Sequence, residues 1–593
     1  MKISYKHEIK PQDEIANDKI VNFLIKNRGI KNIPEFLDPT SPLKISLIDF
    51  NPKYKLYLIK VVKLLKDIKK KDQMIVVYTD YDADGITGGA ILWETLHLLG
   101  FKVMPYVPHR KLEGYGFSKK GIDNIKKKYN PSLIISVDHG ITKVKEIAYA
   151  VKKGIKVIVT DHHLKGDKIP KAEAIFHIPE LSGSGVAYFF AKEIYMSLRG
   201  TLVTKQSQKK EIATSRSEGF AMTKLQNNFQ ADYLALASIG TIADLVPLTG
   251  PSRSIVKYGL KTFPTIKRFG IKHILKEAGI EGKEITPYEI GFIIAPRINA
   301  VGRLESAIDA LRLLCTNDEL KALALAKKIG QTNTERQDLV KKSVDEARLS
   351  LRALAKQSQE IASPSLTPRD DIILPKLIIL VSDHWHEGII GLIASKIAEE
   401  FYRPTLVLTK SNGNYKGSAR SIPSFHITNF LRGLKKHLID VGGHAQAAGF
   451  TIEKDKLSIF TTIVDKIAKK IIKDKDLERK IQADLKIPLS KINLSLVKSL
   501  EQLAPFGMGN PKPTFYSQGK LIDAKLFGKT NNHLKIFVDD LELIVFNQAD
   551  KFKDLSRGQK IDVVYSLEVD KWNGREKLRG KVIFLPSYKF NVS

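Results

Sequence analysis

The segment VVYTDYDADGITGG, residues 76–89, sets Asp80, Asp82 and Asp84 at alternate positions between an apolar run and a glycine-rich helix start. SVDHG supplies Asp138 and His139, VTDHH supplies Asp161, His162 and His163, and TIADLVPL supplies Asp244. Carboxylates this close raise one another's pKa, and bound cations relieve the conflict. Carboxylate with imidazole suits Mn²⁺, and carboxylate with water suits Mg²⁺. Enough ligands are present for two ions, and a metal pair ~3.5–4 Å apart is a standard arrangement for phosphoester hydrolysis. A calcium loop would need a glutamate at its twelfth position, and counting from Asp80 that residue is Ile91.

These clusters need a scaffold that brings them together. MIVVYT, KVMPYV, SLIISV and IKVIV are short, nearly continuous apolar runs separated by amphipathic stretches at 86–99, 118–129 and 142–153. That alternation predicts a parallel sheet covered on both faces. The acid and histidine clusters follow the first, third and fourth runs, and the carboxyl ends of such strands line one crevice. The clusters are therefore expected to converge, with Asp244 as a fourth contribution from a helix ending there.

At 593 residues the chain is expected to hold two to four domains. The expected fold class is α/β. Residues 1–50 form an N-terminal extension, and 51–317 a parallel-sheet catalytic domain interrupted at 200–230 by a polar insertion, mobile in part. Residues 318–362 are expected to form a long connecting helix and linker, 363–475 a smaller α/β domain, and 476–593 a small β-barrel with Gly and Asn turns. The net charge of +32 points to a polyanion, nucleic acid first. The one cysteine, Cys315, reads as a core residue, and a reduced cytoplasm fits. No export signal or bilayer-length apolar run is seen.

DYDADG, VDHG, DHH and ADLVPL resemble the four motifs of the DHH phosphoesterases. PHRKLEGYGFS (108–118), APRINAVGRLESA (295–307), WHEGIIGLIASKI (385–397), GSARS (417–421), GGHAQAAGF (442–450) and APFGMGNPKPTF (504–515) extend the resemblance to the RecJ family of single-strand-specific DNA exonucleases. It covers roughly residues 60 to 590 apart from the insertion. The resemblance implies a DHH domain, a DHH-associated domain and an OB-like barrel. It implies 5′→3′ degradation of single-stranded DNA to mononucleotides with two Mn²⁺ or Mg²⁺ ions, in DNA repair and recombination.

Placed on this chain, it implies metal ligation by Asp82, Asp84, Asp138, His162 and Asp244, with Asp80 a ligand or a support. Asp161 would orient His162, leaving His163 to contact the scissile phosphate or protonate the leaving group. Arg110, Arg297, Arg303, Ser418 and Arg420 are the expected phosphate contacts, because guanidinium forks hold a terminal phosphate in bidentate fashion. His386 and His444 are further DNA contacts, Trp385 either stacks on a base or is buried, and Phe506, Phe515 and Phe527 are stacking candidates on the barrel. The chain departs from the family pattern at His177-Ile178-Pro179, where an Asn-Pro pair is usual, and at Asp383-His384. Single-stranded DNA is the expected partner, with a single-strand binding protein and a RecQ-type helicase as family expectations. A monomer is expected.

Two other readings remain. A DHH hydrolase of oligoribonucleotides or cyclic dinucleotides is opposed by the chain length and the C-terminal β-module. A non-catalytic DNA-binding scaffold is opposed by the intact carboxylates and DHH.

Overall fold

The structure is a computed structural model that describes residues 3–114, 116–206, 214–360, 374–549, 555–572 and 575–586. The chain divides into two compact units, Gln331–Lys480 and Ile3–Gly330 with Ile481–Ser593. Among the described residues no helix is long and apolar enough to cross a membrane.

In the larger unit five parallel strands form one sheet in the order Val103–Tyr106, Ile75–Thr79, Leu133–Val137, Lys156–Asp161, Ala174–His177. Every residue of Ile75–Thr79 and Leu133–Val137 is buried, which is why those runs are apolar on both faces. Helices Tyr54–Lys70, Ala83–Leu98, Gly183–Gln206 and Asp232–Ala243 join the sheet in the main hydrophobic core. Helices Lys119–Tyr129 and Val144–Lys152 close the other face through Ile122, Ile125, Ile147 and Ala150.

The same unit contains a β-barrel. Strands Phe515–Phe527, His533–Val538, Leu541–Val545, Arg575–Phe584 and Lys560–Trp572 pair in that order, and Phe515–Phe527 pairs back with Lys560–Trp572 to close it. Strand Ile481–Lys486 extends the sheet from Phe515–Phe527, and Ile3–Glu8 pairs with it in parallel. Helix Asn17–Asn27 buries Ile20, Val21, Leu24 and Ile25 in the barrel's own hydrophobic cluster. The start of the chain is thus built into the C-terminal module.

The polar stretch expected as a surface insertion is helical at Thr214–Gln230, and its Leu225 and Phe229 are buried in the main core. Met222, partly buried, packs against the same core and helps dock the helix. Residues 207–213 lie outside the described residues.

In the smaller unit the strands Ile378–Val381, Thr405–Ser411, Asn414–Arg420, Ala447–Glu453 and Asp440–His444 form one mixed sheet in that spatial order. Helices Ile390–Phe401 and Leu457–Ile471 belong to the same unit. The helix Glu319–Glu360 matches the expected connector and contributes residues to both units. Residues 361–373, the end of the expected linker and the first residues of the expected smaller domain, lie outside the described residues.

Candidate metal centre

Each acidic cluster sits where a strand or helix ends. Ile75–Thr79 leads into Asp80, and Asp82 caps helix Ala83–Leu98, accepting hydrogen bonds from the backbone N–H groups of Asp84 (3.1 Å) and Gly85 (3.0 Å). Asp84 accepts from Gly183 N (2.6 Å) and Ser184 N (2.9 Å), the start of helix Gly183–Gln206. Only glycine fits at 183, because a Cβ there would lie 2.4 Å from the Asp138 Cβ. Asp138 follows Leu133–Val137 in the left-handed region, with φ +69°, which turns its carboxylate away from the strand path.

These ends converge. His162 Nε2 lies 3.1 Å from Asp138 Oδ1, 3.5 Å from Asp244 Oδ2 and 3.9 Å from Asp84 Oδ2. Three overlapping groups have ligand atoms within 4.8 Å of one another: Asp80, Asp82 and Asp138; Asp84, His162 and Asp244; and Asp138, His162 and His163. Both oxygens of Asp80, Oδ1 of Asp138 and Nε2 of His162 are buried without a hydrogen-bond partner among the described residues. Buried polar atoms are normally satisfied. Unpartnered oxygens aimed at one another beside an unpartnered imidazole nitrogen are the chemistry of a cation site, and the residues fit Mn²⁺ or Mg²⁺.

The electrostatics agree. Burial, then the Asp82 charge, pushes the Asp80 carboxyl well above the ordinary carboxylate range. Burial and Asp84 raise Asp82 and Asp138 likewise, and Asp244 is pushed up to about 8 by burial, Asp84 and Asp82. Burial lowers His162, keeping its imidazole neutral and able to ligate.

Asp161 does not orient His162 as the resemblance implied. Its Oδ1 is 2.8 Å from His163 Nδ1, and it reaches His162 only at the backbone N–H (2.7 Å). Burial alone would raise Asp161, but the His163 hydrogen bond and charge, with the Ile141 N–H at 2.8 Å, hold it well below the usual range. In return, burial would lower His163, but the bond and charge of Asp161 raise it to about 9. His163 is therefore an imidazolium in the metal-free protein at neutral pH. His139 takes no part, because its ring packs against Tyr78 and Phe117 at 4.9 and 5.1 Å, and burial lowers it to about 3.

Sequence reasoning missed the braces. Asn299 Oδ1 accepts from Ala83 N at 2.8 Å, tying APRINAVGR to the first motif. His177 Nε2 lies 2.7 Å from the His163 carbonyl, so the departure from Asn-Pro still supplies a contact to the DHH loop. The Tyr54 hydroxyl donates to the His177 carbonyl at 2.7 Å. The only local signal was the unusual His177 itself.

Among the expected phosphate contacts, the Arg110 guanidinium lies 5.3 Å from the centroid of the Tyr81 ring, and its positive charge acts on Asp80. The charge of Arg303 also acts on Tyr81. Arg297 is committed elsewhere: its Nε donates to Glu277 at 2.6 Å and it also bonds the Ile293 carbonyl, so the expected phosphate role is not what the structure displays. Glu277 ends another helix, Phe269–Glu277, and its pairing with Arg297 was invisible in the sequence.

In the smaller unit Arg420 bonds Ser418 Oγ (3.3 Å) and the Ala419 carbonyl (2.8 Å), and both side chains lie against Gly391 near the start of helix Ile390–Phe401. Among the described residues no carboxylate pairs with Arg420. His386 Nδ1 accepts from Gly388 N at 3.1 Å, and His444 is exposed on its hairpin. Trp385 is buried and donates to Glu346 at 2.9 Å, the structural role rather than a stacking one. Asp383 accepts from Tyr415 at 2.8 Å. On the barrel Phe515 is fully buried and Phe506 packs against the core, so neither is a stacking platform. Phe527 is half-buried beside His533, which also contacts the exposed Phe546.

Comparison with known proteins agrees with this geometry. The family models for the DHH family, N-terminal domain (residues 74–216), the DHHA1 domain (374–470) and the RecJ OB domain (483–583) all match. The single-stranded-DNA-specific exonuclease RecJ of Haemophilus influenzae is 31% identical over 98% of this chain and 98% of its own length. The Bacillus subtilis RecJ is 32% identical over 86% of this chain, which spans 61% of that relative's length. The structure of RecJ from Thermus thermophilus in complex with Mn²⁺ is 26% identical, with a TM-score of 0.74 over 99% of this chain and 80% of that one. Its Mg²⁺ complex is 25% identical, with a TM-score of 0.67 over 98% and 78%. The chain belongs to the RecJ family of single-stranded-DNA-specific exonucleases.

Proposed function

We propose that this chain removes mononucleotides from the 5′ end of single-stranded DNA by metal-dependent phosphodiester hydrolysis. The observation that carries the reading is the convergence of Asp80, Asp82, Asp84, Asp138, His162 and Asp244, with both Asp80 oxygens, Asp138 Oδ1 and His162 Nε2 left without a hydrogen-bond partner among the described residues. Asp82, Asp84, Asp138, His162 and Asp244 hold two divalent cations, and Asp80 completes the acidic wall. When bound, the ions supply Lewis acidity that eases ionisation of water and offsets phosphate charge.

The chain's own groups do the rest. His163, fixed by its hydrogen bond to Asp161, stands beside the cluster as a proton donor to the leaving oxygen. Arg110 and Arg303, both near Tyr81, draw the phosphate toward the carboxylate wall. Ser418 and Arg420 form an anion contact in the smaller unit, with His386 and His444 on the same domain.

The test is a substrate panel with Mn²⁺: long 5′-phosphorylated single strands, blunt duplex, and oligomers of a few nucleotides. The expected outcome is stepwise release of mononucleotides from the 5′ end of the single strand and slow attack on the duplex. Cleavage of the short oligomers alone would instead make the chain an oligonucleotide hydrolase.

A further inference from the structure

The motif APFGMGNPKPTF belongs to the C-terminal module, where a nucleic-acid groove would be its natural setting. In the structure it docks on the segment that leaves Asp244. Asp244 ends helix Asp232–Ala243, Leu245 follows in the left-handed region at φ +58°, and the chain then runs out through Val246, Pro247 and Leu248. Leu248 N donates to the Met508 carbonyl at 2.7 Å. Gly509, at φ +72°, abuts Pro247 so closely that a Cβ would lie 2.9 Å from the Pro247 Cβ. A Cβ on Gly507 would lie 2.7 Å from Leu248 Cδ1.

The turn is held rigidly from behind. Asn510, fully buried, donates to the carbonyls of Leu503 (2.7 Å) and Pro505 (2.9 Å) and accepts from Arg28 Nε (2.8 Å). Arg253, also fully buried, donates to the carbonyls of Phe36 (2.6 Å), Ala504 (2.7 Å) and Pro505 (3.3 Å) and stacks 3.9 Å over the Phe36 ring. A buried guanidinium satisfied by carbonyls from two distant segments locks them at a fixed distance from its own helix, Gly250–Leu260.

Asp244 is the expected ligand most in need of such a lock. It comes from a helix C-terminus, where backbone constraints fade, and its side chain is 31% exposed against 1% for Asp84 and 3% for Asp138. We propose that the Ala504–Asn510 turn is a positioning device for Asp244: by clamping Pro247 and Leu248 it fixes the helix end that aims the carboxylate, so that the C-terminal module sets the affinity of one metal ion. This rests on Asp244 being a metal ligand.

The test measures Mn²⁺ binding to the full-length protein by electron paramagnetic resonance, without DNA, in wild type, Gly509→Ala, Gly507→Ala and Asp244→Asn. Thermal unfolding in EDTA identifies variants that retain the fold. Gly509→Ala should bind one of two ions about tenfold more weakly, the scale of losses when a ligand's support is removed. Its kcat at limiting Mn²⁺ should recover at high Mn²⁺, with KM for DNA unchanged. Gly507→Ala, which presses only on a side-chain tip, should show a smaller loss in the same direction and decides the matter if Gly509→Ala does not fold. Wild-type Mn²⁺ binding in both glycine variants, with a raised KM for DNA, would overturn the proposal and make the turn a DNA contact. Unchanged binding in Asp244→Asn would remove the underlying ligand assignment instead.

Discussion

Asp161 and His163 form an ion pair at the edge of the carboxylate cluster. Asp161 keeps the imidazole protonated well past neutrality, raised to about 9. In Asp161→Asn the amide cannot hold a charge, so the His163 pKa should fall back toward its ordinary 6.5. Activity at neutral pH should drop about 10- to 100-fold. The alkaline limb of the pH–rate profile should move to lower pH. A profile unchanged in shape would show that His163 does not act as a proton donor. At this scale the convergence of the acid and histidine clusters was legible, because strand-end Asp and His residues leave a local signature. The partner of Asp161 was not: His162 and His163 are adjacent, and only ring orientation decides between them. Arg297 failed for a related reason, since Glu277 meets it through packing that no local pattern reports.

Strand and helix ends create the site, and they store unfavourable charge when no metal is bound. Asp80, Asp82, Asp138 and Asp244 all have raised carboxyls, Asp244 to about 8. The folded metal-free protein therefore holds protons that the unfolded chain has released. For Asp244 the resulting contribution to stability is fully present below the ordinary carboxylate pKa of 3.8 and is lost as pH rises through about 8, and Asp80, Asp82 and Asp138 act in the same direction. His163, raised from 6.5 to about 9, has the same sign, and Asp161, held low, loses its contribution only in strong acid. In EDTA the melting temperature should fall between about pH 7 and about pH 8.5, above the range in which the burial-lowered His139 and His162 contribute with the opposite sign. Mn²⁺ at a hundredfold excess over the Kd at the higher pH should restore about 2.7 kcal/mol per ion there, and the same concentration should restore less at the lower pH, where protons compete for the carboxylates. A metal-free melting temperature that rises across this interval would contradict the picture. The doubly buried strands were readable because burial on both faces demands unbroken apolar runs. Ala174–His177 was not, its apolar run before His177 being only Ala174, Ile175 and Phe176, and Thr214–Gln230 hid its core residues in a polar helix.

At the scale of the whole molecule, chain order and spatial order diverge. Ile3–Glu8 pairs with Ile481–Lys486, and the Ala504–Asn510 turn seats beside the segment that follows Asp244. Pairings between segments so far apart have no local sequence signature. The α/β class, the long helix and the barrel were legible from periodicity, whereas the joining of the two chain ends into one unit was not. The most direct measurement of the central claim compares wild type with Asp138→Ala on 5′-phosphorylated, end-labelled single-stranded DNA with Mn²⁺. Asp138 belongs to two of the three overlapping ligand groups, so its loss should remove several kcal/mol of transition-state stabilisation, about a thousandfold or more in rate. The expected result is mononucleotide release by wild type and near-complete loss in a variant that still folds. Release surviving at a comparable rate would contradict hydrolysis by this carboxylate–histidine cluster.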